Sequence, residues 1–177
     1  MLQVIFHPWF PWNQNVWHSG TPFDPLLQAN STPIYQSDDQ GLFPIHIAAS
    51  TGVNKAIVEF LDKCPNIAGV RDIKGRTFLH VAVEKKKWNI VALACQIPSL
   101  SWILNLQDNE GNTALHRSVK LGHQDIFCLL LENQEVRLNL TNKKGETPLD
   151  LSQSKIDRKS TRLNSSHSGE SRMPSSA

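Results

Sequence analysis

Long apolar runs are missing from this chain. No stretch of about 18 or more consecutive apolar residues occurs, the length a helix needs to cross a bilayer, so the sequence contains no direct membrane span. Cysteine is scarce. Cys64, Cys95 and Cys128 make an odd count with no C-x-x-C spacing, which argues against a disulfide framework and fits reduced thiols in a cytosolic setting. The signatures of catalysis are missing too. There is no G-x-S-x-G elbow, no G-x-x-x-x-G-K-[ST] phosphate loop, no H-E-x-x-H and no dinucleotide fingerprint. No enzyme activity and no cofactor are expected. An excess of one charge sign is also absent from the body of the chain: residues 1–156 hold 14 Lys plus Arg and 14 Asp plus Glu. The formal +2 comes from the last residues, so nothing favours nucleic acid. The run Lys85 to Lys87 reads as a solvated helix end. Finally, Met1 to Thr21 has no Lys, Arg, Asp or Glu, yet carries three of the five tryptophans. Without a basic start, and with Pro8 and Pro11 interrupting it, this is no signal peptide. It is left unassigned, as a disordered leader or a gene-model error, with contact at a membrane interface through its Trp and Phe as the alternative.

What is present is a phrase used four times. Asp38 begins DDQGLFPIHIAASTG, Asp72 begins DIKGRTFLHVAVEKK, Asp108 begins DNEGNTALHRSVKLG and Asn142 begins NKKGETPLDLSQS. The marker glycines Gly41, Gly75, Gly111 and Gly145 are spaced 34, 36 and 34 residues apart. A fixed period of this length signals stacked repeats. The opening D-x-x-G or N-x-x-G is turn chemistry, because Asp and Asn bond their own backbone and Gly accepts a positive φ. Thr77, Thr113 and Thr147 are placed as N-caps, and Pro148 suits the first helical position. Ile45, Ala48 and Ala49, repeated as Leu79, Ala82 and Val83, fall at i, i+3 and i+4 and make one stripe on a short helix. Gly52 and Gly122 predict left-handed helix ends. A second helix follows in each unit, in NKAIVEFLDK, NIVALACQ and QDIFCLLLEN. None is long enough to be stable alone, so the helices must stack.

The pattern D-x-x-G-x-T-x-L-H-x-A at this spacing resembles the ankyrin repeat, over Leu26 to Ser154. The resemblance implies an all-α fold: an ankyrin-repeat solenoid of stacked antiparallel helix pairs joined by tight turns. GLFPIHIAAS, GRTFLHVAVEKKKW, GNTALHRSVKLGHQDI and LNLTNKKGETPLDL are further similar to the arrays of a plant family in which ankyrin repeats precede a membrane domain, the PGG domain. That resemblance implies a role in plant defence and stress signalling. It also implies a cytosolic face for this fragment, with full-length relatives anchored in the plasma membrane. A soluble scaffold or substrate-recruiting adaptor without a membrane part is the alternative.

Three departures from the pattern stand out. Phe43 replaces the capping Thr in the first unit. Lys86 takes the place of Gly52 and Gly122, at a cost of about 1 kcal/mol if the backbone is left-handed there. The second unit has two extra residues within QIPSLSWILNLQ, which makes it the least regular. The domain reading is therefore a leader at 1–21, a half-unit at 22–37, repeats at 38–71, 72–107 and 108–141, and a partial repeat at 142–154. Residues 157–177 are read as a disordered tail, because DRKSTRLNSSH and SRMPSSA look like in-frame translations of a sequencing adapter. Asn30-Ser31-Thr32 and Asn139-Leu140-Thr141 match the glycan acceptor pattern and are expected bare.

His46, His80 and His116 recur once per repeat. Stacked layers stand about 10 Å apart, and zinc ligands lie about 2 Å from one centre. The histidines cannot share an ion, and a structural role between the helix start and the neighbouring turn is expected, with Asp150 in that place in the fourth unit. Function should be binding of a protein partner of unknown identity, since turn tips and first helices of such arrays form an extended concave surface. Candidate contacts flank the marker glycines: Gln40, Leu42, Lys74, Arg76, Glu110, Asn112, Lys144 and Glu146, with Arg117 and Lys120 further along a first helix. Counting from the marker glycines places Leu61, Cys95 and Leu131 in one core slot and Val58 and Cys128 in another. Leu131→Ala should then cost ~2–5 kcal/mol. The apolar residues Leu26, Leu27 and Ile34 at one end, and Leu149 and Leu151 at the other, read as uncapped faces. They predict fraying outside Asp72 to Thr141 and weak self-association.

Overall fold

The computed structural model describes residues 32–155. The leader, Leu26 and Leu27, and the tail from Asp157 lie outside the described residues. The chain divides into two units, Met1–Pro33 and Ile34–Ala177, and the helix pairs belong to the second. They are α1 (Pro44–Thr51) with α2 (Asn54–Lys63), α3 (Phe78–Glu84) with α4 (Trp88–Gln96), and α5 (Ala114–Leu121) with α6 (Gln124–Leu131). A last helix, α7, covers 148–155. Among the described residues there is no strand, and the fold is the all-helical repeat solenoid that the resemblance implied.

The inner helices α1, α3 and α5 stack on one another, and the outer helices α2, α4 and α6 form a second layer behind them. Small and branched residues make this possible. Ile45 and Ala49, Leu79, Ala82 and Val83, and Ala114 and Leu115 are all but sealed from solvent. Short 3-10 turns, Pro65–Gly69 and Pro98–Asn105, link the outer helices to the next repeat. The second of these is longer and absorbs the two extra residues of the middle unit.

The helix ends follow their chemistry. Gly52 and Gly122 adopt φ of 86° and 76° at the C-caps of α1 and α5. Lys86, in the equivalent place, is forced to φ 54° without the freedom of a glycine. At the N-termini Thr113 Oγ1 accepts from the His116 N–H at 3.4 Å, and Thr147 Oγ1 from the Asp150 N–H at 3.2 Å. The hydroxyls of Thr77 and Thr113 also meet the rings of His80 and His116, at 2.9 and 2.8 Å. Phe43 has no oxygen to offer, and its ring lies 5.8 Å from that of His46.

The outer-helix register differs from the one counted along the sequence. Leu131 is 45 % exposed, Cys128 is exposed, and Leu61, Val58 and Cys95 are half-buried. The buried residues of the outer helices are Ile57 and Phe60, then Ile90, Val91, Ala92, Leu93 and Ala94, then Ile126 and Leu130. The first and third outer helices bury one stripe, whereas α4 is buried from Ile90 through Ala94; a count one position off a core slot on a helix turns the side chain by about 100°. Burial still acts on Cys95, whose thiol is pushed up to about 11 and is therefore a poor nucleophile at neutral pH. At the ends, Ile34 is 1 % exposed and Leu151 is buried, whereas Leu149 is 68 % exposed.

Candidate partner-binding face

The turn tips are built identically in four repeats. Asp38 Oδ1 accepts from the N–H groups of Gln40 and Leu42 at 2.9 and 2.8 Å. Asp72 does the same for Lys74 and Arg76, Asp108 for Glu110 and Asn112, and Asn142 for Lys144 and Glu146. One side-chain oxygen thus closes each tip as an Asx turn. Neighbouring tips are laced together: Asn109 N–H donates to the Lys74 carbonyl at 3.0 Å, and Lys143 N–H to the Glu110 carbonyl at 2.9 Å. That approach explains Gly111, since a Cβ there would lie 2.7 Å from the Lys143 nitrogen. Gln107 braces the joint further, donating from Nε2 to the Gly111 and Thr141 carbonyls at 2.7 Å each.

A ladder of histidines runs behind the tips. His80 Nδ1 accepts from the Thr77 N–H at 3.3 Å, and its Nε2 donates to the Asn112 carbonyl of the next repeat at 3.0 Å. His46 bonds Phe43 N–H and the Arg76 carbonyl in the same way, and His116 bonds Thr113 N–H and the Glu146 carbonyl. An Nδ1 that accepts and an Nε2 that donates define the neutral ring. Burial lowers all three imidazoles from their ordinary value, and His80 falls to about 4. Asp150 keeps the acceptor half of this role, taking the Thr147 N–H and hydroxyl on Oδ2 at 2.8 and 2.7 Å.

The tips and inner helices therefore hold the candidate contacts, in three different situations. Gln40, Lys74 and Lys144 are exposed, and Leu42 and Glu146 are half-buried. Glu110 and Lys120 pair at 3.1 Å. Arg76 and Asn112, in contrast, are buried within the array, at 8 % and 1 % exposure. Arg76 and Arg117 both belong to a chain of charges that crosses from the second repeat to the third. Arg76 meets Asp72 at 2.6 Å and Glu84 at 2.5 Å, while Arg117 meets Glu84 at 3.1 Å and Asp108 at 2.7 Å. Burial would raise the two aspartates, but hydrogen bonds from the Arg76 side chain and backbone hold Asp72 below its usual value. The Asn112 backbone and Arg117 side chain do so for Asp108. Counting residues did not reveal Glu84. The available signal was a lone acid at the end of one inner helix, facing a lone arginine on the next. Two exposed isoleucines were missed as well: Ile73 on a tip, at 65 %, and Ile47 on α1, at 45 %.

A stack of helix pairs with laced tips and a histidine ladder defines a repeat solenoid whose inner face is held rigid. Residues 45–142 match the family model for ankyrin repeats (3 copies), which covers more than half of the sequence, and the chain belongs to the ankyrin-repeat family. Alpha-latrotoxin-Lg1a of Latrodectus geometricus is 33% identical over 125 residues, covering 70% of this chain and 9% of that protein. The probable 26S proteasome regulatory subunit p28 of Saccharomyces cerevisiae is 29% identical over 147 residues, with 64% of each chain covered. Neurogenic locus notch homolog protein 1 of Mus musculus is 26% identical over 144 residues, 74% of this chain but 6% of that protein. The chain thus spans a small part of the longer relatives. Ankyrin arrays generally mediate protein–protein interaction and are typically non-catalytic. No helix among the described residues is long and apolar enough to cross a membrane.

Proposed function

We propose that this array is a non-catalytic module that binds a protein partner on its inner face, which is concave in arrays of this kind. The observation that carries it is the two exposed isoleucines, Ile47 on the inner helix α1 and Ile73 on a tip, at 45 % and 65 % exposure. An apolar anchor bounded by polar and charged tips is how interfaces are composed. Lys74, Lys144, Glu110 and Lys120, with Gln40, Leu42 and Glu146, would fit the rim. Arg76, Asn112 and Arg117 act behind it, by fixing the tips. A photo-crosslinking residue placed at Ile73, and another at Cys128 on the outer helix, tests the face. In extracts of cells that express the chain, crosslinks should form from Ile73. Crosslinks that form from Cys128 alone would place the interface on the outer helices.

The finer reading is that the array belongs to a plant defence or stress-signalling protein anchored in the plasma membrane through a PGG domain. Its support is the likeness of GLFPIHIAAS, GRTFLHVAVEKKKW and GNTALHRSVKLGHQDI to that family. The relatives described above come from animals and yeast, and one of them, the probable proteasome regulatory subunit p28, accords with the second reading, a soluble scaffold or recruiting adaptor. Sequencing the gene downstream of the codon for Ser154 separates the two. Four apolar spans of about 20 residues each support the membrane-anchored protein, and their absence supports the scaffold. The uncovered Leu149 supports weak self-association at that end.

A further inference from the structure

The turns joining each inner helix to its outer helix form a second row, at the opposite end of the inner helices from the tips. In successive repeats they read Gly52-Val53-Asn54-Lys55, Lys85-Lys86-Lys87-Trp88 and Lys120-Leu121-Gly122-His123. The first two turns touch, because Asn89 Nδ2 donates to the Gly52 carbonyl and to Asn54 Oδ1 at 2.7 Å each. Lys155 closes the third, donating from Nζ to the Val119 and Lys120 carbonyls at 2.6 Å. Three large apolar side chains stand out along this edge: Val53, Trp88 and Leu121, each about half exposed. Around them Lys55, Lys85 and Lys86 are exposed and Lys87 is half-buried. None of these four lysines has an ion-pair partner among the described residues. Of the acids on these elements, Glu84 is held by Arg76 and Arg117, Glu59 lies one turn along α2 from Lys55 with an interaction of its own, and Asp125 is exposed in the first turn of α6.

We propose that this turn edge docks onto an anionic lipid bilayer. Lysines near such a surface each strengthen binding about fivefold, and Trp favours the headgroup layer, where its ring meets both water and hydrocarbon. Lys86 supplies an independent observation. It stands at φ 54°, where its equivalents in the flanking repeats are glycines, so a cation is kept at the strained summit of the turn. Strain of this kind persists where a side chain is needed. The shape favours a plane over a peptide. The edge is a row of turns, and a groove among the described residues lies elsewhere, lined by Val58, Leu61, Pro65, Ile97, Leu100 and Trp102.

Sedimentation of the full chain with vesicles tests the proposal. The wild type should sediment with phosphatidylcholine vesicles containing phosphatidylserine, remain in solution with phosphatidylcholine alone, and be released by high salt. The variant K85Q/K86Q/K87Q, which keeps a side chain at the strained position, should bind about 100-fold more weakly. W88A should lose several-fold with the charge unchanged. K143Q, on the fourth tip, should bind as the wild type does, and circular dichroism of each variant should show the same helix content. Unchanged vesicle binding by K85Q/K86Q/K87Q would overturn the proposal, whichever part of the chain then carried it. So would capture of the wild type by polyglutamate or heparin with the vesicles left bare, an outcome that makes an acidic polymer the ligand.

Discussion

Lys86 shows how one residue can be locally wrong for its place. A side chain at φ 54° brings Cβ against the following carbonyl, which costs about 1–2 kcal/mol. Lys86→Gly removes the clash but gives the unfolded chain more freedom, so a net gain of about 0.5–1 kcal/mol is expected in urea unfolding. A loss would mean that the lysine stem makes contacts worth more than the strain. Leu130 and Leu131 offer a sharper comparison, because they are adjacent and chemically identical. Leu130 is fully buried and Leu131 is 45 % exposed. Leu130→Ala should cost about 2–5 kcal/mol, and Leu131→Ala about 0.5 kcal/mol. Equal losses would show that the outer helix is rotated from the register described here.

At the level of elements, the inner helices are joined by charge as well as by apolar packing. Glu84, at the end of α3, lies between Arg76 and Arg117, and its side chain is 29 % exposed. Glu84→Ala would leave two arginines facing each other in a half-dry site. Removing one partner of a buried pair costs about 3–5 kcal/mol, and partial exposure reduces this to about 2–3 kcal/mol. The double variant Glu84→Ala with Arg117→Ala should recover part of the loss, a non-additivity that a double-mutant cycle would register. The Asx tips, the left-handed caps and the linking role of the histidines were all legible in sequence, because each depends on chemistry within one short phrase. The outer-helix register was not. Cys95, Cys128 and Leu131 are apolar enough to fill a core slot, and only stacking against the inner layer decides which apolar residue turns inward. The charge chain was hidden for a similar reason: Arg76 and Arg117 look like surface residues until Glu84, from another element, is placed between them.

Across the whole array, the histidine ladder ties stability to pH. His46, His80 and His116 must be neutral, since a proton on Nδ1 would face the N–H of Phe43, Thr77 or Thr113 in place of a lone pair. Their imidazoles are lowered by burial, His80 to about 4, while in the unfolded chain they titrate near 6.5. Between these values the unfolded state binds protons that the folded state refuses, so stability falls as pH falls. The loss begins near pH 6.5 and, for His80, is complete near 4. At His80 alone it amounts to about 3 kcal/mol. A second decline follows at lower pH, as Asp72 and Asp108, both held below 3.8, become protonated and release their arginines. Because each ring also donates to a carbonyl of the next repeat, protonation should loosen adjacent repeats together and keep the transition cooperative. Urea unfolding at pH 7.5, 5.5 and 4.5 should show a steady fall in midpoint. His80→Gln should be less stable at pH 7.5 but lose less between pH 6.5 and 4. A midpoint that stays flat from pH 7.5 to 4.5 would show that the rings are not held neutral, and that the ladder does not couple the repeats.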